Sequence, residues 1–282
     1  MKTSKILKKL GLSPTDRVVI FHADDIGMCE ASVSAYAELL DFGLMSSAAT
    51  MVPCPWFPAT AKICRDNKEK ADMGVHLTLT SEWDNYRWRP LSTSDTKSGL
   101  LDQEGYFHRQ EAPVQEKSDD EVVYHELKAQ IERAISSGID ITHIDTHMFA
   151  IYPTFTNLYI RLADEYQVPA FALQPGAEHD FPPPLSEAEA ESRLLLDAWC
   201  VMSYEDHENR FEQARQLLEE IPNGITYFLL HPSKDSPELR AIAPDWRTRV
   251  ADYQLFRDEK FRTYVKESGI QVIGWRALKD LL

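Results

Sequence analysis

The sequence is poor in the features that mark several large classes of protein. No stretch approaches a run of about eighteen apolar residues, the length a membrane-spanning helix needs, so no membrane partner is expected. The first sixteen residues hold Lys2, Lys5, Lys8 and Lys9 but no apolar core of about seven residues or more; they read as a short amphipathic arm (1–16) and not as a secretory signal. Cysteine is scarce. Cys29, Cys54, Cys64 and Cys200 lack the close pairing of a zinc ribbon or a redox motif, which leaves reduced thiols and a cytoplasmic location as the expectation. Basic charge is also short, with 30 Lys+Arg against 45 Asp+Glu and a formal net charge of −15. A phosphate backbone calls for a basic stripe, and none is present, so nucleic acid is not an expected partner. Internal repeats and low-complexity tracts are missing too.

What remains is an ordinary globular composition, 43% hydrophobic and 27% charged over 282 residues, enough for one self-sufficient core. Short apolar runs alternate with helix-like segments. The runs Val18–His22, Ala48–Val52, Met73–Leu79, Ile141–Thr146, Val168–Leu173, Ile225–Leu230 and Ile270–Trp275 have the length and composition of buried strands. Helices are expected over Met28–Phe42 and Asp119–Ser137, each stopped by a glycine (Gly43, Gly138), and over Pro153–Tyr166, Ser186–Trp199, Asn209–Glu220 and Asp258–Ser268. Strands alternating with helices imply right-handed βαβ units and a parallel sheet. The predicted fold is therefore a single α/β domain over 1–282, a (β/α) barrel-like fold that is incomplete or distorted relative to a TIM-type barrel; an open doubly wound sheet is the alternative. Two stretches break the rhythm. Gln174–Leu185 contains three consecutive prolines, and Thr80–Ser118 is polar but holds Trp83, Tyr86, Trp88, Tyr106 and Phe107. The second (80–118) reads as an ordered loop near the site.

Four predicted strands end in groups that bind metals or move protons: His22-Ala23-Asp24-Asp25, Gly74-Val75-His76, Thr142-His143-Ile144-Asp145-Thr146-His147 and Leu230-His231-Pro232. In parallel α/β folds these ends share one face, and the active site lies there. Singly, most are weak: two acids after a strand cap helices, and a lone histidine after a strand is commonly structural. The fourth strand is stronger. Alternation puts His143, Asp145 and His147 on one face, where three polar groups are costly to bury unpaired. One carboxylate and two imidazoles would hold a metal with positions left open. A spare carboxylate, Asp24, and a spare histidine, His231, would handle protons. That inventory suits metal-assisted hydrolysis of an amide or ester.

At these residues the sequence resembles the YdjC-like (ChbG-type) carbohydrate deacetylases. Their N/H-A-D-D-F/I-G element stands here as His22-Ala23-Asp24-Asp25-Ile26-Gly27, followed by the small-residue strand Ser46–Val52 and a G-x-H element at Gly74–Thr80. The T-H-x-D-S/T-H motif spans Thr142–His147, and the late H-P is His231-Pro232. The elements occur in family order over 18–232. The resemblance implies a barrel-like fold, removal of acetyl groups from N-acetylated sugars or chitin-type oligosaccharides, and homodimers. It also implies one divalent metal held by Asp25, His76 and His147, with Asp24 as general base, His231 as general acid, and His143 and Asp145 orienting the ligands. Asp-His-His accepts zinc or magnesium, and manganese or cobalt as well. Trp83, Trp88 and Tyr106 would offer faces to a sugar ring. The chain departs from the family where further histidines are usual, here Met148 and Phe149, and where an arginine is expected near Phe171–Gln174.

Two other readings remain at this point. One is a barrel metalloenzyme of another class, a sugar isomerase or a different amidohydrolase, although no lysine follows the strand ends. The other is a non-catalytic sugar-binding protein, which would need neither Asp24 nor His231.

Overall fold

The computed structural model describes residues 3–177, 182–190 and 193–282. Residues 178–181 of the expected loop Gln174–Leu185, residues 191 and 192 of the expected helix Ser186–Trp199, and the first two residues of the arm lie outside the described residues. Among the described residues seven parallel strands form the sheet: β1 (Arg17–Ile26), β2 (Ser47–Thr50), β3 (Met73–Leu77), β4 (Ile141–Thr146), β5 (Ala198–Val201), β6 (Gly224–Leu230) and β7 (Gln271–Val272). Their order is β4-β3-β2-β1-β6-β5. Two isolated parallel bridges join the ends of that path. Ile144 on β4 bridges Ala170, and Leu173 bridges Leu196 just before β5. Backbone bonds from Phe171 N to Ile144 O (2.9 Å) and from Leu196 N to Ala172 O (2.9 Å) seal the two joints. The result is a distorted α/β barrel in which residues 169–173 fill a strand position without forming a regular strand.

β1 is the longest strand because it serves three neighbours. β6 pairs along one edge from Arg17 to Ala23, while the other edge takes β7 at Val18 and Val19 and β2 from His22 onward. Alternation along β1 sorts its side chains. Val19, Phe21 and Ala23 join the main core under the helices, whereas Val18 and Ile20 join a smaller inner cluster with Ile225, Tyr227, Leu229 and Trp275. His22 and Asp24 continue that inner row. The arm supplies a helix, Thr3–Lys9, whose Ile6 and Leu7 are buried in the same inner cluster.

Several expected elements shift. Helix Ser186–Trp199 is a correction: among the described residues of that span helix is confined to Glu187–Ala190, and Ala198–Val201 is a strand. Leu194, Leu195 and Leu196 are buried on every side, and a run buried all round carries no helical period to distinguish it from a strand. The last predicted strand shortens to β7, and Trp275 instead opens the helix Trp275–Lys279. The helix Glu30–Phe42 ends as expected at Gly43, whose φ of 79° is left-handed. Helices Phe57–Asp66 and Trp246–Phe256 have no counterpart in the sequence reading. The second of these buries the polar Thr248, Arg249 and Asp252 along with Val250, Tyr253, Leu255 and Phe256, so its buried side shows no apolar stripe in the sequence.

The stretch 80–118 is ordered around its own contacts. Leu101 bridges Phe107, Arg87 pairs with Asp102 at 2.7 Å and donates to Phe107 O at 2.6 Å, and a helix follows at Glu111–Lys117.

Candidate metal centre

The first requirement is to turn two consecutive residues of one strand toward the same side, because neighbours on a strand normally face opposite ways. β1 does this with a bulge. Its register against β2 shifts between Ala23 and Ile26, and Asp25 adopts a left-handed φ of 62°. Aspartate tolerates that region better than most side chains. Asp24 and Asp25 both line one cleft of about 410 Å³, together with His76 from β3, His147 just after β4 and His231 just after β6. The strand ends that the sequence singled out therefore do converge.

Asp25 Oδ1 lies 3.2 Å from His147 Nδ1 and 3.4 Å from His76 Nε2. Although buried, this oxygen makes no hydrogen bond among the described residues. One donor atom from each of Asp25, His76 and His147 lies within 4.8 Å of the others. Three donors converging around an unsatisfied buried oxygen fit a divalent ion. Both imidazoles are steered from behind. Asp145 Oδ1 sits 2.8 Å from His76 Nδ1, and a Glu82 oxygen lies 3.0 Å from His147 Nε2. A carboxylate on the far nitrogen is the usual means of fixing the tautomer and raising the basicity of a ligating histidine.

The electrostatics point the same way. Burial opposes charge on His76, yet Asp24 and Asp145 hold its pKa well above the ordinary histidine value. Burial likewise opposes charge on His147, but Glu82 and Asp25 raise it to about 9. A field that draws protons onto buried imidazoles also draws a divalent cation. Burial alone would raise the Asp25 carboxyl; Arg249, whose Nη1 is 2.7 Å from Oδ2, and the two imidazoles hold it well below the usual carboxylate range.

Asp24 is held by its inner oxygen. His22 Nε2 is 3.1 Å from Oδ1 and the Tyr227 hydroxyl donates to it at 3.2 Å, while Oδ2 lies 3.6 Å from His76 Nε2. His231 donates its backbone N–H to Asp252 Oδ2 at 3.0 Å, and its ring packs 5.7 Å from Tyr204. Burial lowers the His231 pKa. His143 and Asp145 lie deeper in the barrel, both buried.

Of the three aromatics expected to face a sugar, Trp83 lines the cleft. Trp88 and Tyr106 do not, which corrects that expectation. Trp88 is 2% exposed and donates its indole N–H to Thr80 O at 2.7 Å, and the Tyr106 ring lies under the Arg87 guanidinium at 5.2 Å. Tyr106 builds the loop itself, and Trp88 also packs edge-on against the His147 ring at 6.1 Å. In their place the cleft wall has Met148, Phe149, Tyr204 and Leu229. Met148 and Phe149 each take a φ of 52°, which turns the chain sharply after His147 and leaves Met148 54% exposed.

The sequence reading missed four residues. Glu82 stands in an irregular loop with no local signal. Arg249 comes from the unrecognised helix Trp246–Phe256. His22 and Tyr227 were accessible through alternation, being two residues before Asp24 and before Leu229 on inward-facing rows.

Comparison with known proteins shows the family. A family model described as "YdjC-like protein" matches residues 18–267. A protein of Thermus thermophilus named carbohydrate deacetylase is 33% identical, covering 98% of this chain and 99% of its own. Another so named, from Thermoanaerobacter pseudethanolicus, is 23% identical over 93% of this chain and 100% of its own. A crystal structure from Enterococcus faecalis V583, described as a candidate cellobiose-phosphate cleavage protein, shares the fold with a TM-score of 0.76 at 22% identity, covering 93% of this chain and 99% of that one. With most of its length matched by the family model, and its strand-end motifs gathered in one cleft, this chain belongs to the YdjC-like protein family.

Proposed function

We propose that this protein is a metal-dependent carbohydrate deacetylase, hydrolysing the acetamide of an N-acetylated sugar or small chitin-type oligosaccharide. The observation that carries the reading is the convergence of Asp25, His76 and His147 in a cleft that also receives Asp24 and His231. When bound, a divalent ion supplies Lewis acidity there, polarising a carbonyl and easing loss of a proton from water. Zinc and magnesium are the first candidates, then manganese and cobalt.

The chain's own residues do the rest. Asp24, with Oδ1 held by the Tyr227 hydroxyl, keeps Oδ2 facing the cleft to take a proton from the attacking water. As the C–N bond breaks, His231 delivers a proton to the leaving amine. Asp145 and Glu82 hold the two imidazoles in register. Trp83 offers an apolar face to the sugar ring. The reading places the enzyme in the cytoplasm, where the four free cysteines stay reduced, and as a homodimer, as the family resemblance implies. Among the described residues no helix is long and apolar enough to cross a membrane.

Acetate release from a panel of N-acetylated mono- and disaccharides tests the proposal, using metal-stripped protein alone and after adding back each of the four metals. Release restored by metal is the expected result. No release with any metal, from protein shown to bind one, would overturn the deacetylase assignment.

A further inference from the structure

Beneath the cleft lies a second set of imidazoles whose hydrogen bonding can be solved from the bottom upward. Asp72 is the anchor. Thr142 donates its hydroxyl to Asp72 Oδ1 at 2.6 Å, and Ser47 donates to the same oxygen at 3.2 Å. Each hydroxyl has one proton, so each oxygen is left to accept. His143 Nδ1 stands 3.0 Å from Thr142 Oγ1 and His22 Nδ1 stands 3.2 Å from Ser47 Oγ, so both rings carry their proton on Nδ1. The two Nε2 lone pairs are then turned inward, away from Asp72.

Both converge on carboxylate oxygen. His22 Nε2 is 3.0 Å from Asp145 Oδ2 and 3.1 Å from Asp24 Oδ1, and His143 Nε2 is 3.7 Å from Asp145 Oδ2. Among the described residues neither nitrogen has a hydrogen-bond partner, and both residues are 0% exposed. Lone pairs facing carboxylates repel unless a positive charge stands between them. Donor atoms of His22, His143 and Asp145 lie within 4.8 Å of one another. Bonds of about 2.0–2.2 Å to one tetrahedral ion would put donors about 3.3–3.6 Å apart, in the middle of these separations.

The geometry points to a second metal site in this protein, an inner one in which His22 Nε2, His143 Nε2 and Asp145 Oδ2 hold a zinc-type divalent ion, with Asp24 Oδ1 alongside. Imidazole nitrogen and carboxylate oxygen suit zinc. Asp24 and Asp145 together supply the two negative charges that a buried divalent ion needs. The rings are fixed in place, His143 stacked on Trp275 at 5.0 Å and His22 on Tyr227 at 4.7 Å. Gly74 makes the room: a Cβ there would come within 2.4 Å of His143 Nε2 and Cε1. The glycine of the G-x-H element thus serves the inner site, while its histidine serves the cleft. Closed on all sides, the inner site is structural in type. Through Asp145, which reaches it with Oδ2 and His76 with Oδ1, it stiffens the cleft above.

Equilibrium dialysis of the metal-stripped full chain against buffered zinc, read by mass spectrometry of metal per folded chain, tests the site without reference to turnover. Wild type is expected to bind two ions, His147→Ala one, and His143→Gln one. If wild type binds one ion and His147→Ala none, the inner site is occupied by a proton on His22 and the inference falls. If wild type and His147→Ala each bind one ion, the inner site stands and the cleft site of the proposed function fails instead. Should His143→Gln not fold by circular dichroism, the His147→Ala count decides alone.

Discussion

The barrel interior has two polar layers built from nearly the same alphabet, and they differ in where their residues come from. The inner layer, His22, His143, Asp145 and Tyr227, is drawn wholly from strands, is fully buried, and is packed ring on ring. The outer layer, Asp25, His76 and His147, sits at strand ends and is completed by Glu82 from a loop and Arg249 from a helix. Rigid strands carry the groups whose position must not vary, and connecting segments carry those that adjust charge and access. Damage to the outer layer should therefore fall on chemistry and damage to the inner one on stability.

Asp24 stands on the boundary between the layers and gives the sharpest test. Asp24→Asn should lower kcat by about 10²–10⁴-fold, the usual contribution of a positioned base, in protein that stays folded by circular dichroism. A variant that lost stability and kept its turnover would place Asp24 with the inner layer. Gly74→Ala addresses the inner layer directly. Its new methyl would overlap the His143 ring, and overpacking of this kind costs about 1–3 kcal/mol, to be read by denaturant titration. Unchanged stability would mean that the inner layer is looser than its packing shows. The smallest effect is expected from Glu82→Gln, which keeps an acceptor oxygen for His147 Nε2 but removes the charge. Metal affinity at the cleft should fall roughly tenfold, at the low end for such outer partners, with stability intact.

The legible parts of this molecule were those in which chemistry follows strand periodicity. Buried parallel strands read as short apolar runs, so β1, β3, β4 and β6 and the polar residues closing them stood out. The bulge that lets Asp24 and Asp25 share a cleft did not, because a left-handed aspartate leaves no mark in composition. β5 was hidden because Leu194–Leu196 is buried on every side and has no period to read. Arg249 was hidden for the same reason one level up, on a helix covered on most of its faces. The aromatics of 80–118 drew attention as ligand surfaces, yet Trp88 is core of the loop and Tyr106 a stacking partner for Arg87. Only tertiary packing separates an aromatic that builds a wall from one that faces the space inside.

The bulge in β1 also sets a limit on how this site can move. Asp24 and Asp25 are joined by a single peptide link, which fixes their Cα atoms about 3.8 Å apart whatever the rest of the barrel does. Where a base and a metal ligand hang from different elements, breathing of the scaffold changes the gap between them. Here the two travel as one piece. Strands β3, β4 and β6 shifting against β1 would alter how the site grips its contents, but the spacing of the two backbone positions that carry Asp24 and Asp25 is written into the covalent chain. One residue inserted between them would break that coupling without touching a single side chain.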